Sequence, residues 1–282
     1  AFLGLMALVA FFALRDSGNS ATTSTEMLIA VGDSYAAGYQ PNDPTGMATS
    51  HGFVDRLAVM LNKDHPAKVL NFACSGATTE TVLSTSGCTT GAQANNAPIY
   101  ATTQLDAAVD ALSTHRGHVR AVVVALGIND FARCAGVGTV NSCVERQAPK
   151  ISERLRQILV QLRRAGGPSV PIVGITYPNV GLIGWKSSPP NRIQAETSLE
   201  LTTRFAHPAI LSAYQGLGLV ADVTKASGGL DPLPASTSGP EPKAISTLCV
   251  ITWMCRQGDL HLTPEGQDFV AKVIATRLNA KP

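Results

Sequence analysis

Five consecutive apolar residues, Met27, Leu28, Ile29, Ala30 and Val31, run directly into Gly32-Asp33-Ser34-Tyr35. A strand with one wet face alternates apolar and polar residues, whereas an unbroken apolar run suits a strand covered on both faces. Gly32 then allows a sharp turn, which leaves Asp33 and Ser34 at the strand's carboxyl end. In an open parallel sheet that end is where ligands bind. A hydroxyl on such a rigid support is a candidate nucleophile. The commoner role of Gly-Asp-Ser is to cap a turn or a helix, so the tripeptide alone does not establish chemistry.

The rest of the chain repeats the strand-then-helix rhythm. Apolar runs predict strands at residues 68–72, 119–126, 170–176 and 217–223. Amphipathic stretches predict helices at 51–62, 103–112, 144–165 and 194–215, the last broken at Pro208. A closing helix at 264–278 has Pro264 in its first turn. Residues 81–101, 177–191 and 224–247 read as loops, the last rich in Gly, Pro and Ser. This alternation argues for a mainly parallel sheet with helices on both faces, an α/β fold. There is no internal repeat, and the polar stretches are too short to separate a second core. One domain over residues 26–282 is expected.

Residues 1–14 are apolar until Arg15 and Asp16, and a polar stretch follows to residue 25. About 20 apolar residues are needed to span a bilayer. Residues 1–25 therefore read as an export or anchor segment with a linker. The net charge of +2 and the low charged fraction give no basic field for nucleic acid. The six cysteines, Cys74, Cys88, Cys134, Cys143, Cys249 and Cys255, form three close pairs. Disulfides joined in sequence order are expected, in an oxidising compartment. Zinc is the alternative, but the chain has no Cys-x2-Cys spacing.

Four segments place polar groups beside small residues: Gly32-Asp33-Ser34, Ser75-Gly76-Ala77, Gly127-Ile128-Asn129-Asp130 and Asp259-Leu260-His261. Acyl transfer needs a nucleophile, a base, a group to orient that base, and donors aimed at the oxyanion. Ser34 can supply the nucleophile and His261 the base. The N–H groups of Ser34 and Gly76 and the Asn129 amide can supply the donors. Asp33 and Asp130 read as structural acceptors that shape the Ser34 turn and brace the Asn129 loop. Tyr177 and Trp185 are assigned equally to a pocket wall or the core. His115 and His118 could form a metal-binding pair, although a solvated loop is the commoner fate. His51, His65 and His207 have no partner legible in sequence.

Together these blocks resemble the SGNH hydrolases, the GDSL lipase/esterase family, over nearly the whole chain from Met27 to Leu278. Ser34, Gly76, Asn129 and His261 fall in the family's order. Gly127-Ile128-Asn129-Asp130 matches its Gly-x-Asn-Asp, and residues 261–266, His-Leu-Thr-Pro-Glu-Gly, match the stretch at its histidine. Tyr35 stands where the motif usually has Leu. The resemblance implies a flavodoxin-like three-layer α/β/α sandwich and Ser-His hydrolysis of an ester of a small molecule, lipid or glycan, with no metal or other cofactor. Three local disulfides resemble the family's secreted actinobacterial members. A monomer is expected, outside the cytoplasm and with membrane attachment through its N-terminal segment as one option. An acyltransferase using the same residues, or an inactive binding protein of the same fold, are the alternatives.

The family usually places its orienting Asp three residues before the His, and that position here is Gly258. Either Asp259 or a backbone carbonyl such as that of Gly258 can then orient His261. A carboxylate there would raise the His261 pKa.

Overall fold

The computed structural model describes residues 25–41, 51–89, 91–95, 97–135, 140–187, 191–236 and 239–280. The apolar segment expected at the start of the chain, with most of its polar linker, lies outside the described residues. Among the described residues, no helix is long and apolar enough to cross a membrane.

Five parallel strands form one sheet in the order β2-β1-β3-β4-β5. They are β1 (Met27–Gly32), β2 (Lys68–Asn71), β3 (Val119–Ala125), β4 (Ile172–Ile175) and β5 (Leu219–Ala221). The first five helices are α1 (Ser34–Ala37), α2 (Phe53–Leu61), α3 (Thr79–Ser84), α4 (Gln104–Thr114) and α5 (Ile128–Ala132). The next four are α6 (Val140–Gly166), α7 (Arg192–Leu201), α8 (His207–Tyr214) and α9 (Val223–Ala226). The last three are α10 (Lys243–Ile251), α11 (Met254–Gln257) and α12 (Pro264–Asn279). Helices α2 and α12 pack together over one face of the sheet, and α4, α6 and α8 cover the other. The expected three-layer α/β/α sandwich is formed, with the flavodoxin-like strand order.

The buried faces follow from the sequence pattern. Leu28–Val31 and Val122–Ala125 have no exposed surface, so both strands are covered above and below, as their apolar runs require. Helix α6 turns Val144, Ala148, Ile151, Leu155, Ile158, Leu159 and Leu162 inward, a helical stripe of three- and four-residue steps. A smaller apolar cluster joins Leu182, Trp185, Ala195, Ala244, Ile245 and Leu248 beside the main core. Trp185 is therefore a core residue there, with the Arg192 guanidinium 6.0 Å from its ring centre.

Three stretches differ from the loops and breaks expected. Within residues 81–101, α3 forms because Thr78 and Thr81 make reciprocal capping bonds, which satisfy its first N–H groups. The long loop at 224–247 holds α9 and the start of α10. The helical stretch around Pro208 is not broken there. It passes through a π-helical turn, Thr202–Ala206, and resumes with Pro208 in the first turn of α8, where a missing N–H costs nothing.

The sheet also constrains β4. Tyr214 of α8 packs against Gly174, and a Cβ at that position would overlap the tyrosine Cζ and hydroxyl. Gly174→Ala is expected to destabilise the protein by about 1–3 kcal/mol through overpacking. Urea unfolding measures this, and an unchanged midpoint would contradict the packing described.

Candidate active site

In this strand order the chain passes from β1 to β2 on one side and then crosses back to β3 on the other side of β1. A crevice opens where the order reverses, at the carboxyl ends of β1 and β3. Three of the four expected segments meet there: Gly32-Asp33-Ser34 after β1, Ser75-Gly76-Ala77 after β2, and Gly127–Asp130 after β3. The fourth, Asp259–His261, enters from the loop between α11 and α12.

Ser34 is the first residue of α1 and is 7% exposed. Its hydroxyl oxygen lies 2.9 Å from His261 Nε2. The other ring nitrogen, Nδ1, lies 2.8 Å from Asp259 Oδ1. The same carboxylate oxygen accepts the His261 backbone N–H at 2.8 Å. Of the two acceptors expected at Nδ1, the one in place is the Asp259 carboxylate. Gly258, at φ 69°, ends α11 in the left-handed conformation and turns the chain so that Asp259 can fold back over the residue two ahead. A backbone bridge, Thr252 to Leu262, closes this loop at its base, and the Cys249–Cys255 disulfide crosses it.

His261 is largely enclosed, and burial lowers its pKa from the ordinary value. The hydrogen bond from the ring to Asp259 and the carboxylate charge act in the opposite direction but do not overcome it. The carboxylate thus has the expected sign of effect, while the net shift is downward.

Among the described residues, the N–H groups of Ser34 and Gly76 donate to no protein acceptor. Gly76 has φ 82°, the left-handed region that a side chain disfavours, while the space around it is open. The requirement for glycine is therefore one of backbone conformation. Asn129 Nδ2 donates to the Ala77 carbonyl at 3.0 Å, which leaves its second hydrogen free to donate. Asp130 braces this loop as expected, accepting from Thr79 N–H at 2.9 Å and from its hydroxyl at 2.7 Å.

All three disulfides join in sequence order: Cys74–Cys88, Cys134–Cys143 and Cys249–Cys255. Each adjoins one of the polar loops. Among the described residues, no group of three or more histidines, cysteines and carboxylates is arranged to hold a metal ion, so His115 and His118 belong to no such group.

Several contributors were not legible in sequence. Gln104 of α4 reaches the end of β1, where its Oε1 accepts the Gly32 N–H at 2.7 Å and its Nε2 donates to the Gly32 carbonyl at 3.1 Å. The amide thus pairs with Gly32 as a neighbouring strand would. His207 does have a partner: its Nε2 lies 2.9 Å from Asp222 Oδ2. It lines a mostly apolar cavity of about 630 Å³, with Ile128, Phe131, Val144, Tyr177 and Ile210 among the other walls. Ser34 and His261 do not line this cavity, but Ile128 adjoins Asn129, and the Tyr177 hydroxyl donates to Asp33 Oδ2 at 2.6 Å. Tyr177 is at once a cavity wall and a buried residue.

Asp33 is fully buried and caps α1 by accepting the Tyr35 N–H at 2.9 Å. Burial pushes its carboxyl up to about 7, against the hydrogen bonds from Tyr177 and the Tyr35 N–H, which favour the ionised form. A carboxyl raised above its unfolded value contributes stability that is full below that value and is lost as pH rises through the folded one. Stability is therefore expected to fall between about pH 4 and 7. Asp33→Asn should flatten that slope in thermal melts; equal slopes in the two proteins would contradict the assignment.

The model of the GDSL-like lipase/acylhydrolase family matches residues 30–269. Among solved structures, phospholipase A1 from Streptomyces albidoflavus NA297 is similar with a TM-score of 0.55 and 18% identity, over 90% of this chain and 100% of that one. The lipase Lip_vut3 from a goat rumen metagenome is similar with a TM-score of 0.55 and 13% identity, over 90% and 98%. At such identities the likeness is one of fold. No curated protein matches the chain. The matched stretch spans most of the sequence and takes in Ser34, Gly76, Asn129 and His261, so this chain belongs to the GDSL-like lipase/acylhydrolase family.

Proposed function

We propose that this protein is a serine esterase or lipase that hydrolyses a carboxylic ester through an acyl-enzyme on Ser34. The observation that carries the reading is one line of contacts at the sheet's switch point: Ser34 Oγ to His261 Nε2 at 2.9 Å, and His261 Nδ1 to Asp259 Oδ1 at 2.8 Å. Nucleophile, base and orienting acid stand in the order that acyl transfer needs.

Ser34 Oγ attacks the ester carbonyl as His261 Nε2 takes its proton. Asp259 holds the ring in the tautomer with Nδ1–H and supports the imidazolium that forms. The carbonyl oxygen gains a negative charge and accepts hydrogen bonds donated by the Ser34 and Gly76 N–H groups and the Asn129 side-chain amide. The C–O bond to the alcohol then breaks, and His261 returns the proton to the leaving oxygen. Water repeats the cycle on the acyl-enzyme and releases the acid. The 630 Å³ cavity beside Asn129 receives the acyl part, since its walls are mainly apolar. The three disulfides favour a protein that works outside the cytoplasm.

A serine-directed fluorophosphonate is expected to label Ser34, and Ser34→Ala should lose both labelling and turnover of a nitrophenyl ester. Labelling at another residue, or activity kept in Ser34→Ala, would overturn the mechanism. Asn129→Ala should keep the label and lose roughly 10²–10³ in kcat, the usual loss for one oxyanion donor.

The acid partner gives a separate test. His261 must be neutral to accept the proton, so kcat/KM should rise with pH through a midpoint below the ordinary imidazole value. The groups facing the ring are Asp259, Ser34, Tyr35 and Tyr39, and both influences that raise its pKa, a hydrogen bond and a charge interaction, come from Asp259. Asp259→Asn removes the charge, so the acid limb should move further down. The same change should cost on the order of 10⁴ in kcat, as a wrong-tautomer substitution does in a serine triad. Near-normal kcat with an unmoved limb would leave a Ser34–His261 dyad.

A further inference from the structure

The turn that carries Ser34 also holds the loop that carries His261. Three residues of the first touch three consecutive residues of the second. Tyr35 Oη donates to the Leu260 carbonyl at 2.6 Å. The Tyr39 ring lies 4.3 Å from the His261 ring, centre to centre. Gln40 Nε2 donates to the Leu262 carbonyl at 2.8 Å, and its Oε1 accepts from Trp253 Nε1 at 3.2 Å.

Leu260 is the single residue between Asp259 and His261. For Asp259 Oδ1 to meet both the His261 N–H and its ring Nδ1, the backbone must turn tightly at Leu260. The Leu260 side chain does not anchor that turn, because the residue is 38% exposed. The carbonyl does, and its partner is a buried tyrosine that is itself fixed. The Tyr35 ring stands edge-on to Tyr177 at 5.0 Å, and Tyr177 is tied to Asp33. Burial, with Asp33 and Asp259 nearby, pushes the Tyr35 pKa up, so the hydroxyl keeps its proton and remains a donor. A buried tyrosine hydroxyl needs some acceptor, and one bond alone would mean little. Here the acceptor is the backbone hinge of the Asp-His turn, and it is one of three successive anchors.

We propose that Tyr35 is a positioning residue: its hydroxyl holds the Leu260 carbonyl and so fixes Asp259 against His261. The proposal rests on the Ser34–His261–Asp259 reading, and its first readout needs no turnover.

Tyr35→Phe keeps the ring and removes one oxygen. In the resting protein, the downfield proton NMR signal of His261 Nδ1–H reports the bond to Asp259. Tyr35→Phe is expected to shift that signal upfield or broaden it away, with the melting temperature near that of the unaltered protein. Nitrophenyl ester turnover should fall about tenfold in kcat with KM nearly unchanged, less than the 10²-fold that a 1 Å misplacement can cost. In an Asp259→Asn background the same change should cost less than about twofold, because no carboxylate is left to position. p-Aminophenylalanine at position 35 restores a donor and should recover the signal and most of kcat. An unmoved signal, a tenfold loss repeated in the Asp259→Asn background, or loss of the fold in Tyr35→Phe would each overturn the positioning role. If the unaltered protein shows no Ser34 labelling, the catalytic reading fails, while the NMR comparison still decides whether Tyr35 sets the Asp259–His261 bond.

Discussion

The geometry of the site depends on how β1 ends. A central strand cannot simply stop, because its last N–H and C=O groups are buried and must find partners. Gly32 donates its N–H to Gln104 and its carbonyl accepts from both Gln104 and the Cys74 N–H at 3.0 Å. One step later the Asp33 N–H donates to the Ala125 carbonyl at 3.0 Å. The turn into α1 is thereby tied to β2 on one side and β3 on the other. A Cβ on Gly32 would lie 2.7 Å from the Ala36 Cβ and 2.8 Å from the Ala125 oxygen, so the turn closes only around glycine. Ser34 is held where it is by backbone groups that have nowhere else to go.

The loops that complete the site have no such strand to hold them, and they are held in other ways. Cys74–Cys88, Cys134–Cys143 and Cys249–Cys255 each staple a loop next to Gly76, Asp130 or Asp259. A closed loop of about 15 residues stabilises a protein by around 3 kcal/mol in the chain-entropy model. Side chains do the finer work: Asp130 on Thr79, Asn129 on Ala77, and Tyr35 and Gln40 on the His261 loop. Donors that must meet a developing charge gain most when they are fixed beforehand, since no reorganisation is then needed during the reaction.

Burial acts on the charges as well as on the packing. The ring of His261 has a carboxylate at hydrogen-bond distance, yet its pKa is lowered, because enclosure disfavours the imidazolium more than Asp259 favours it. Asp33 shows the same balance, accepting two hydrogen bonds and still being pushed up to about 7. The lowered His261 pKa and the raised Asp33 pKa both follow from enclosure.

The amino-acid sequence by itself determined the parts whose causes are local. Residues 28–31 and 121–126 are legible as buried strand because each is a short unbroken apolar run, and both are buried in the structure. Ser34, Gly76 and Asn129 were legible as candidates from small residues at predicted strand ends, His261 from the motif resemblance, and the cystine pairs from their spacing. Tertiary structure alone decided what depends on residues far apart in the chain. Nothing near Gln104 points to Gly32, 72 positions away, and nothing near Tyr35 points to Leu260, 225 positions away. The contact of Asp259 with His261 Nδ1 belongs with these, since it depends on the left-handed turn of Gly258 that ends α11. So does the direction of the His261 shift. A neighbouring carboxylate can be read from two residues away, but the depth of burial that outweighs it exists only once the layers have packed.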